Sequence, residues 1–93
     1  MTFAALRNDV TDGPVTIRKL RGITDEEFAA ALSAADKLID GGCNEEAVDV
    51  LSGLALYDPF CPEVWTRIER FCRLHGDLEA AGLFASLARS LAA

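Results

Sequence analysis

The chain has 93 residues, 51% of them hydrophobic and 26% charged, and its nine basic and fifteen acidic side chains leave a net charge of −6. That length holds one small domain, and the apolar fraction excludes disorder over the whole chain. The acidic balance argues against nucleic acid, which needs a clustered basic face, and no apolar run approaches the roughly 20 residues of a membrane span.

Charge is unevenly distributed. Residues 1–23 carry four basic and two acidic side chains, residues 24–58 carry nine acids against Lys37 alone, and residues 59–93 carry four of each. The amino terminus has Asp9 where a secretory signal would have its apolar core, so the expected compartment is the cytoplasm. Cys43, Cys61 and Cys72 are an odd set with neither a C-x-x-C nor a Cys/His metal spacing. They are expected to be free thiols packed as small hydrophobes, with no metal and no cofactor.

Residues 1–23 show no sustained period and contain Gly13-Pro14 and Gly22, which predicts a flexible basic arm with at most a helical turn near Phe3–Val10. Its cluster Ile17-Arg18-Lys19-Leu20-Arg21 is expected to be solvated or to lie on the acidic segment that follows. Thr24-Asp25-Glu26-Glu27 reads as a capping box opening a helix to about Asp40. Phe28, Ala31, Leu32, Ala35, Leu38 and Ile39 form its apolar stripe. Gly41-Gly42 ends that helix, and Asn44 is expected to cap a second one, followed by Glu45 and Glu46 at the positive end of the helix dipole. Ala47, Val48, Val50, Leu51, Leu54 and Ala55 supply its buried side until Tyr57-Asp58-Pro59 stops it. Pro62 suits the first turn of a third helix running to about Leu74, with Trp65, Ile68, Phe71 and Cys72 inward. His75-Gly76 closes it and Asp77 caps a fourth, which runs from Leu78 to about Ala92 and is nearly devoid of polar residues. Four helices with short loops predict an all-α fold.

The second half repeats the first at a spacing of 34 residues: Gly42 recurs as Gly76 and Ala47 as Ala81, and Ala31, Ala34 and Leu54 align with Trp65, Ile68 and Ala88. A fixed period of this length signals stacked supersecondary units. The unit Phe28–Cys61, with Ala35, Leu38, Gly42, Glu46-Ala47, Leu51 and Asp58-Pro59, resembles a tetratricopeptide repeat. The unit 62–93 follows suit with Trp65, Ile68, Gly76-Asp77, Ala81 and Ala88; Glu69 stands where a small crossing residue is expected, which predicts looser packing there. The resemblance implies a right-handed stack of two antiparallel hairpins over residues 24–93 and a role in holding another protein. Gly76-Asp77-Leu78-Glu79-Ala80-Ala81, Phe84-Ala85-Ser86 and the tail Ala88–Ala93 are similar to the last repeat of type III secretion chaperones. Leu51–Asp58 is similar to the segment before it. This implies a small cytosolic chaperone for a secreted or apparatus protein, the rival being a structural subunit docked through its last helix.

Members of the repeat family bind peptides on the concave side formed by the first helix of each hairpin. The resemblance therefore directs attention to Leu32, Asp36, Ile39, Trp65, Arg70 and Arg73, with Ala29 beside them. These residues do not make a carboxylate clamp, because Asp36 is acidic and Glu63 and Glu69 accompany the arginines. On the last helix Leu78, Ala81, Ala85 and Ala88 are expected to face the preceding helix, which leaves Leu83, Leu87 and Leu91 for a partner. That partner is a second copy in a homodimer, or another protein in an obligate heterocomplex; the alternative cover is the arm, through Val15, Ile17, Leu20 and Ile23. Catalysis is not expected: His75 is the sole histidine, and although Cys72 lies three residues away, nothing supplies an orienting acid or an oxyanion hole.

Overall fold

The computed structural model describes residues 14–93, which form five helices and no strand: α1 (Ile17–Leu20), α2 (Asp25–Asp40), α3 (Asn44–Tyr57), α4 (Pro62–Leu74) and α5 (Leu78–Ala92). The fold is all-α. The turn expected near Phe3–Val10 lies outside the described residues. Among the described residues no helix is long and apolar enough to cross a membrane.

Residues 14–23 depart from the arm without regular structure that their sequence suggests. The Thr16 hydroxyl accepts a bond from the Lys19 amide at 3.1 Å, and Gly22 at φ +66° reverses the chain after α1. The period test fails here because four residues are too few to show one.

The local signals around α2 act as expected. The Thr24 hydroxyl accepts from the Glu27 amide at 3.1 Å while the Glu27 carboxylate accepts from the Thr24 amide at 3.0 Å, so two orphan donors of the first turn are satisfied. Phe28, Leu32, Ala35 and Ile39 are buried, one helical stripe. Gly42 at φ +72° closes the turn. The residue that precedes α3 is Cys43 and not Asn44, and it makes no side-chain cap. Asn44 is already inside the helix, since the left-handed Gly42 leaves Cys43 as the last non-helical residue. Glu45 and Glu46 remain as the favourable charges at that end. α3 buries Ala47, Leu51 and Leu54.

Helix α4 meets the core through Ile68 and Phe71 as expected, but not through Trp65. Val64 is fully buried in one cluster with Phe28, Leu32, Ala35, Ile39, Ala47, Leu51 and Leu54, and Ile68 and Phe71 pack against the same cluster. Trp65, one residue and about 100° further around the helix, is not in that cluster. It is half-buried, its ring stacked on Phe84 of α5 at 5.7 Å between centroids and 8° between planes, and its Nε1 donates to the Pro59 carbonyl at 2.7 Å. The expected inward placement of Trp65 is therefore corrected: Val64 takes the core position, with the tryptophan turned toward α5.

Asp77 caps α5 by accepting from the Ala80 amide at 3.1 Å, after Gly76 at φ +79°. Ala81 and Ala88 are buried, whereas Leu78, expected inward, is exposed beside Leu74 where the two residues flank the turn at the hairpin tip. Glu69 does not loosen this pair. α4 and α5 make the most extensive helix–helix contact among the described elements, because α5 supplies the small residues Ala81, Ala85 and Ala88 at the crossing. α5 touches only α4 among the described helices, and α4 in turn packs on both α2 and α3.

Two measurements probe this architecture. A Cβ at Gly76 would meet nothing within 4 Å, so the cost of Gly76→Val is purely a backbone one; it is expected to exceed about 1 kcal/mol in urea melts. Val64→Ala removes two methyl groups from a closed core and is expected to cost about 2–3 kcal/mol. An unchanged midpoint in either variant contradicts the corresponding assignment.

Candidate functional site

Helices α2 and α4 are in contact, and the charges along them answer one another. Arg67 donates to Asp36 at 3.1 Å and to the Glu63 carbonyl at 3.0 Å, Arg70 pairs with Asp40 and lies 4.0 Å from Asp36, and Arg73 pairs with Glu69 at 2.8 Å. The Asp40 carboxylate raises the Arg70 pKa above its ordinary value. Leu32 and Ile39, taken from the sequence as groove residues, are core residues and offer nothing to a partner. Both lie on the α2 stripe that α3 and α4 cover. Of the expected set, Asp36, Arg70 and Arg73 are brought together on one side as a neutralised ladder, and Trp65 is drawn away into its stack with Phe84. Such partly exposed pairs contribute little each. Their effect is to remove the free cationic groups that a carboxylate clamp needs.

The basic arm lies on the acidic hairpin. Arg18 reaches the Asp58 carboxylate at 2.9 Å, pairs with Asp25, and sets its guanidinium 4.2 Å above the Phe28 ring centre. Both side chains of the Arg18–Asp58 pair are largely buried, and the second Asp58 oxygen accepts from the Phe60 amide at 3.1 Å. One aspartate thus ties α1 to the turn between hairpins. Val15, Ile17 and Leu20 stay exposed, and α1 contacts α3 and not α5. The described part of the arm does not cover the last helix.

An open depression of about 320 Å³ lies between α2 and α3 on the side away from α4. Its walls are Ile23, Phe28, Ala31, Val50, Gly53, Leu54 and Tyr57, and its polar side chains are the acids Glu27 and Asp49. The sequence reading missed this surface by assigning Phe28, Val50 and Leu54 to the core alone. The available signal was Gly53, which leaves a gap on the helix face between Val50 and Tyr57.

A second depression, of about 260 Å³, is lined by Pro62, Thr66, Glu69, Ala85, Ala88, Arg89 and Ala92. Shifted back by the 34-residue period, these are Phe28, Leu32, Ala35, Leu51, Leu54, Ala55 and Asp58, five of them members of the cluster on which α4 sits. The second hairpin thus keeps the seat for a following helix but lines it with Thr66, Glu69 and Arg89. The exposed leucines lie elsewhere on α5: Leu83 is 68% and Leu87 38% exposed, with Leu91 half-buried.

The thiols and the histidine have structural surroundings. Burial is the main cause of the raised pKa at Cys61 and Cys72, with the neighbouring Glu63 and Asp77 acting in the same direction. The Cys61 thiol donates to the Glu63 carboxylate at 3.0 Å. Cys43 is exposed and not packed as a hydrophobe. His75 stacks on Phe71 at 4.2 Å, and its Nδ1 donates to the Phe71 carbonyl at 2.8 Å. A nucleophilic thiol needs its pKa lowered, so nothing here favours thiol chemistry. Among the described residues no group of three histidine, cysteine or acidic side chains could hold a metal ion.

No family model, no curated protein and no solved structure matches the chain.

The capping box at the rim of the first depression predicts a pH response. Bonds from Thr24 hold the Glu27 carboxyl below its ordinary value of 4.5. A lowered folded-state pKa gives stability that is complete above about pH 4.5 and lost as the pH falls through the folded value. Glu27→Gln removes the titrating carboxyl while leaving the Thr24 hydroxyl cap on the backbone amide, so it is expected to shrink the loss between pH 6 and pH 3 in parallel urea melts. An equally steep acid limb in the variant refutes the linkage.

Proposed function

We propose that this protein is a non-catalytic protein-binding module that holds a partner segment in the depression between α2 and α3. The observation that carries the reading is the pairing of apolar walls with Glu27 and Asp49 as the polar side chains, on the part of the chain with the largest acid excess. A partner suited to it is an apolar helical or extended segment with lysine or arginine at its margins, whose charges complement that rim. The resemblance to tetratricopeptide repeats supports binding over catalysis. The further likeness of its last repeat to type III secretion chaperones makes the narrower reading a small cytoplasmic chaperone that keeps an exported or apparatus protein soluble. The competing reading, a permanent structural subunit, is favoured by a different observation, the exposed leucines of α5.

Gly53 separates binding from folding. A Cβ there meets nothing within 4 Å, and leaving glycine inside a helix gains up to about 1 kcal/mol. Gly53→Gln is therefore expected to fold at least as well as the native chain while filling the depression. In co-expression pull-downs read by mass spectrometry, the native chain should retain a partner that Gly53→Gln loses. Retention of that partner by both chains refutes the groove.

A further inference from the structure

The repeat lets one hairpin be read against the other, position by position. The first helices of the two hairpins end at Asp40 and Leu74, and the second helices begin at Asn44 and Leu78. Gly42 and Gly76 turn the chain between them at φ +72° and +79°. Each of these pairs is separated by the 34-residue period, so every position of α3 has a counterpart on α5. Three residues lining the depression between α2 and α3 are smaller than their counterparts: Ala31 stands for Trp65, Val50 for Phe84 and Gly53 for Leu87. In the second hairpin Trp65 and Phe84 stack on each other between α4 and α5. In the first, the corresponding place is an opening of about 320 Å³.

The depression thus lies where the other hairpin carries its own aromatic pair. Its volume is at the lower end of the roughly 300–1,000 Å³ typical of pockets, which suits one large side chain rather than a long helix. Phe28 and Tyr57 contribute aromatic surface to its wall, against which a ring packs by its face or edge. Asp49 at the margin is exposed and in no ion pair among the described residues. We propose that the depression is a pocket for an aromatic side chain of a partner protein, flanked in the partner by a lysine or arginine that pairs with Asp49. This rests on the binding function proposed above and adds what the site selects.

The test is a titration of the full chain, nitrogen-labelled for NMR, with end-blocked tripeptides. Lys-Trp-Lys should shift the amides of Ala31, Val50 and Gly53. Lys-Leu-Lys should bind about threefold to tenfold more weakly, the increment of an aromatic contact over its area alone. Glu-Trp-Glu should also bind more weakly, and Asp49→Lys should narrow the gap between it and Lys-Trp-Lys. Ala31→Trp with Val50→Phe copies the stack of the second hairpin into the first and should abolish the shifts at unchanged helical content. Gly53→Leu, which installs the counterpart of Leu87, should do the same from a single position where a Cβ meets nothing within 4 Å. Equal binding of Lys-Trp-Lys and Lys-Leu-Lys overturns the aromatic preference but leaves the groove standing, since that is decided by the Gly53→Gln pull-down. Shifts that persist in the filled variants, or that no peptide produces, overturn the pocket. Tighter binding of Lys-Trp-Lys after Phe3→Ala assigns the depression to the chain's own aromatic residue, and a change in the same amides on dilution without peptide assigns it to a second copy; either result overturns the proposal.

Discussion

The structure depends on the seating of α4 against α2 and α3. α5 touches no other described helix than α4, so the two hairpins form one body only through that helix. The central contact is Val64, fully buried among Phe28, Leu32, Ala35, Ile39, Ala47, Leu51 and Leu54, with Ile68 and Phe71 extending the seam. Ala35 and Ala47 are also fully buried, and side chains that small let α2 and α3 approach closely enough to make one continuous floor. A larger residue at either position would part the helices and remove the surface that Val64 fills. The Trp65–Phe84 stack and the exposed face of α5 both inherit their positions from that seating.

The acid excess of residues 24–58 is used twice. Asp25 and Asp58 hold Arg18 and with it α1, and Asp36 and Asp40 hold Arg67 and Arg70 and with them α4. The first hairpin is thus an acidic base to which basic elements on either side are tied. Each tie is individually weak where it is exposed, but Arg18 also lies on the Phe28 ring and is largely buried, so it acts as a packed side chain as well as a charge. What remains at the rim of the depression, Glu27 and Asp49, belongs to neither set of ties. Glu27 is committed to the cap of α2, with its carboxylate on the Thr24 amide.

Helix ends were legible in the residues, as were the buried stripes of α2 and α3, whereas the faces of α4 and α5 were legible only in part. Thr24 and Asp77 act through side-chain oxygens on amides three residues away, and Gly42, Gly76 and Pro62 through their own backbone, so each does what its type dictates. Asn44 failed by one residue, within the usual uncertainty of a helix end. Which face of a helix is buried depends on partners far away in sequence. Val64 and Trp65 are adjacent and both apolar, and the larger looked like the better core residue. The alanine-rich face of α5 takes a bulky aromatic beside it, while the close-packed first hairpin accepts only the β-branched valine. The same cause moved Leu32 and Ile39 from the expected groove into the core. It also hid the depression between α2 and α3, whose wall residues read as ordinary stripe positions. The arginine ladder was visible as a spacing, but its neutralisation required knowing that α2 lies alongside α4.

The 34-residue period shows how the two hairpins differ at the seat for a following helix. In the first hairpin the seat for the next helix is built from Phe28, Leu32 and Ala35; one period later the same seat presents Pro62, Thr66 and Glu69. A helix docking there would have to desolvate the Glu69 carboxylate, which is already paired with Arg73, so the seat is closed by polarity while its shape persists. Had Leu83 and Leu87 occupied the stacking seat, copies would add head to tail without closure. Arg89 belongs to the seat, whereas the leucines are exposed on another side of α5. Polarity at the seat and exposed leucines on a different side of α5 therefore make the two surfaces of one helix suited to different neighbours, the first disfavouring an apolar helix and the second open to one.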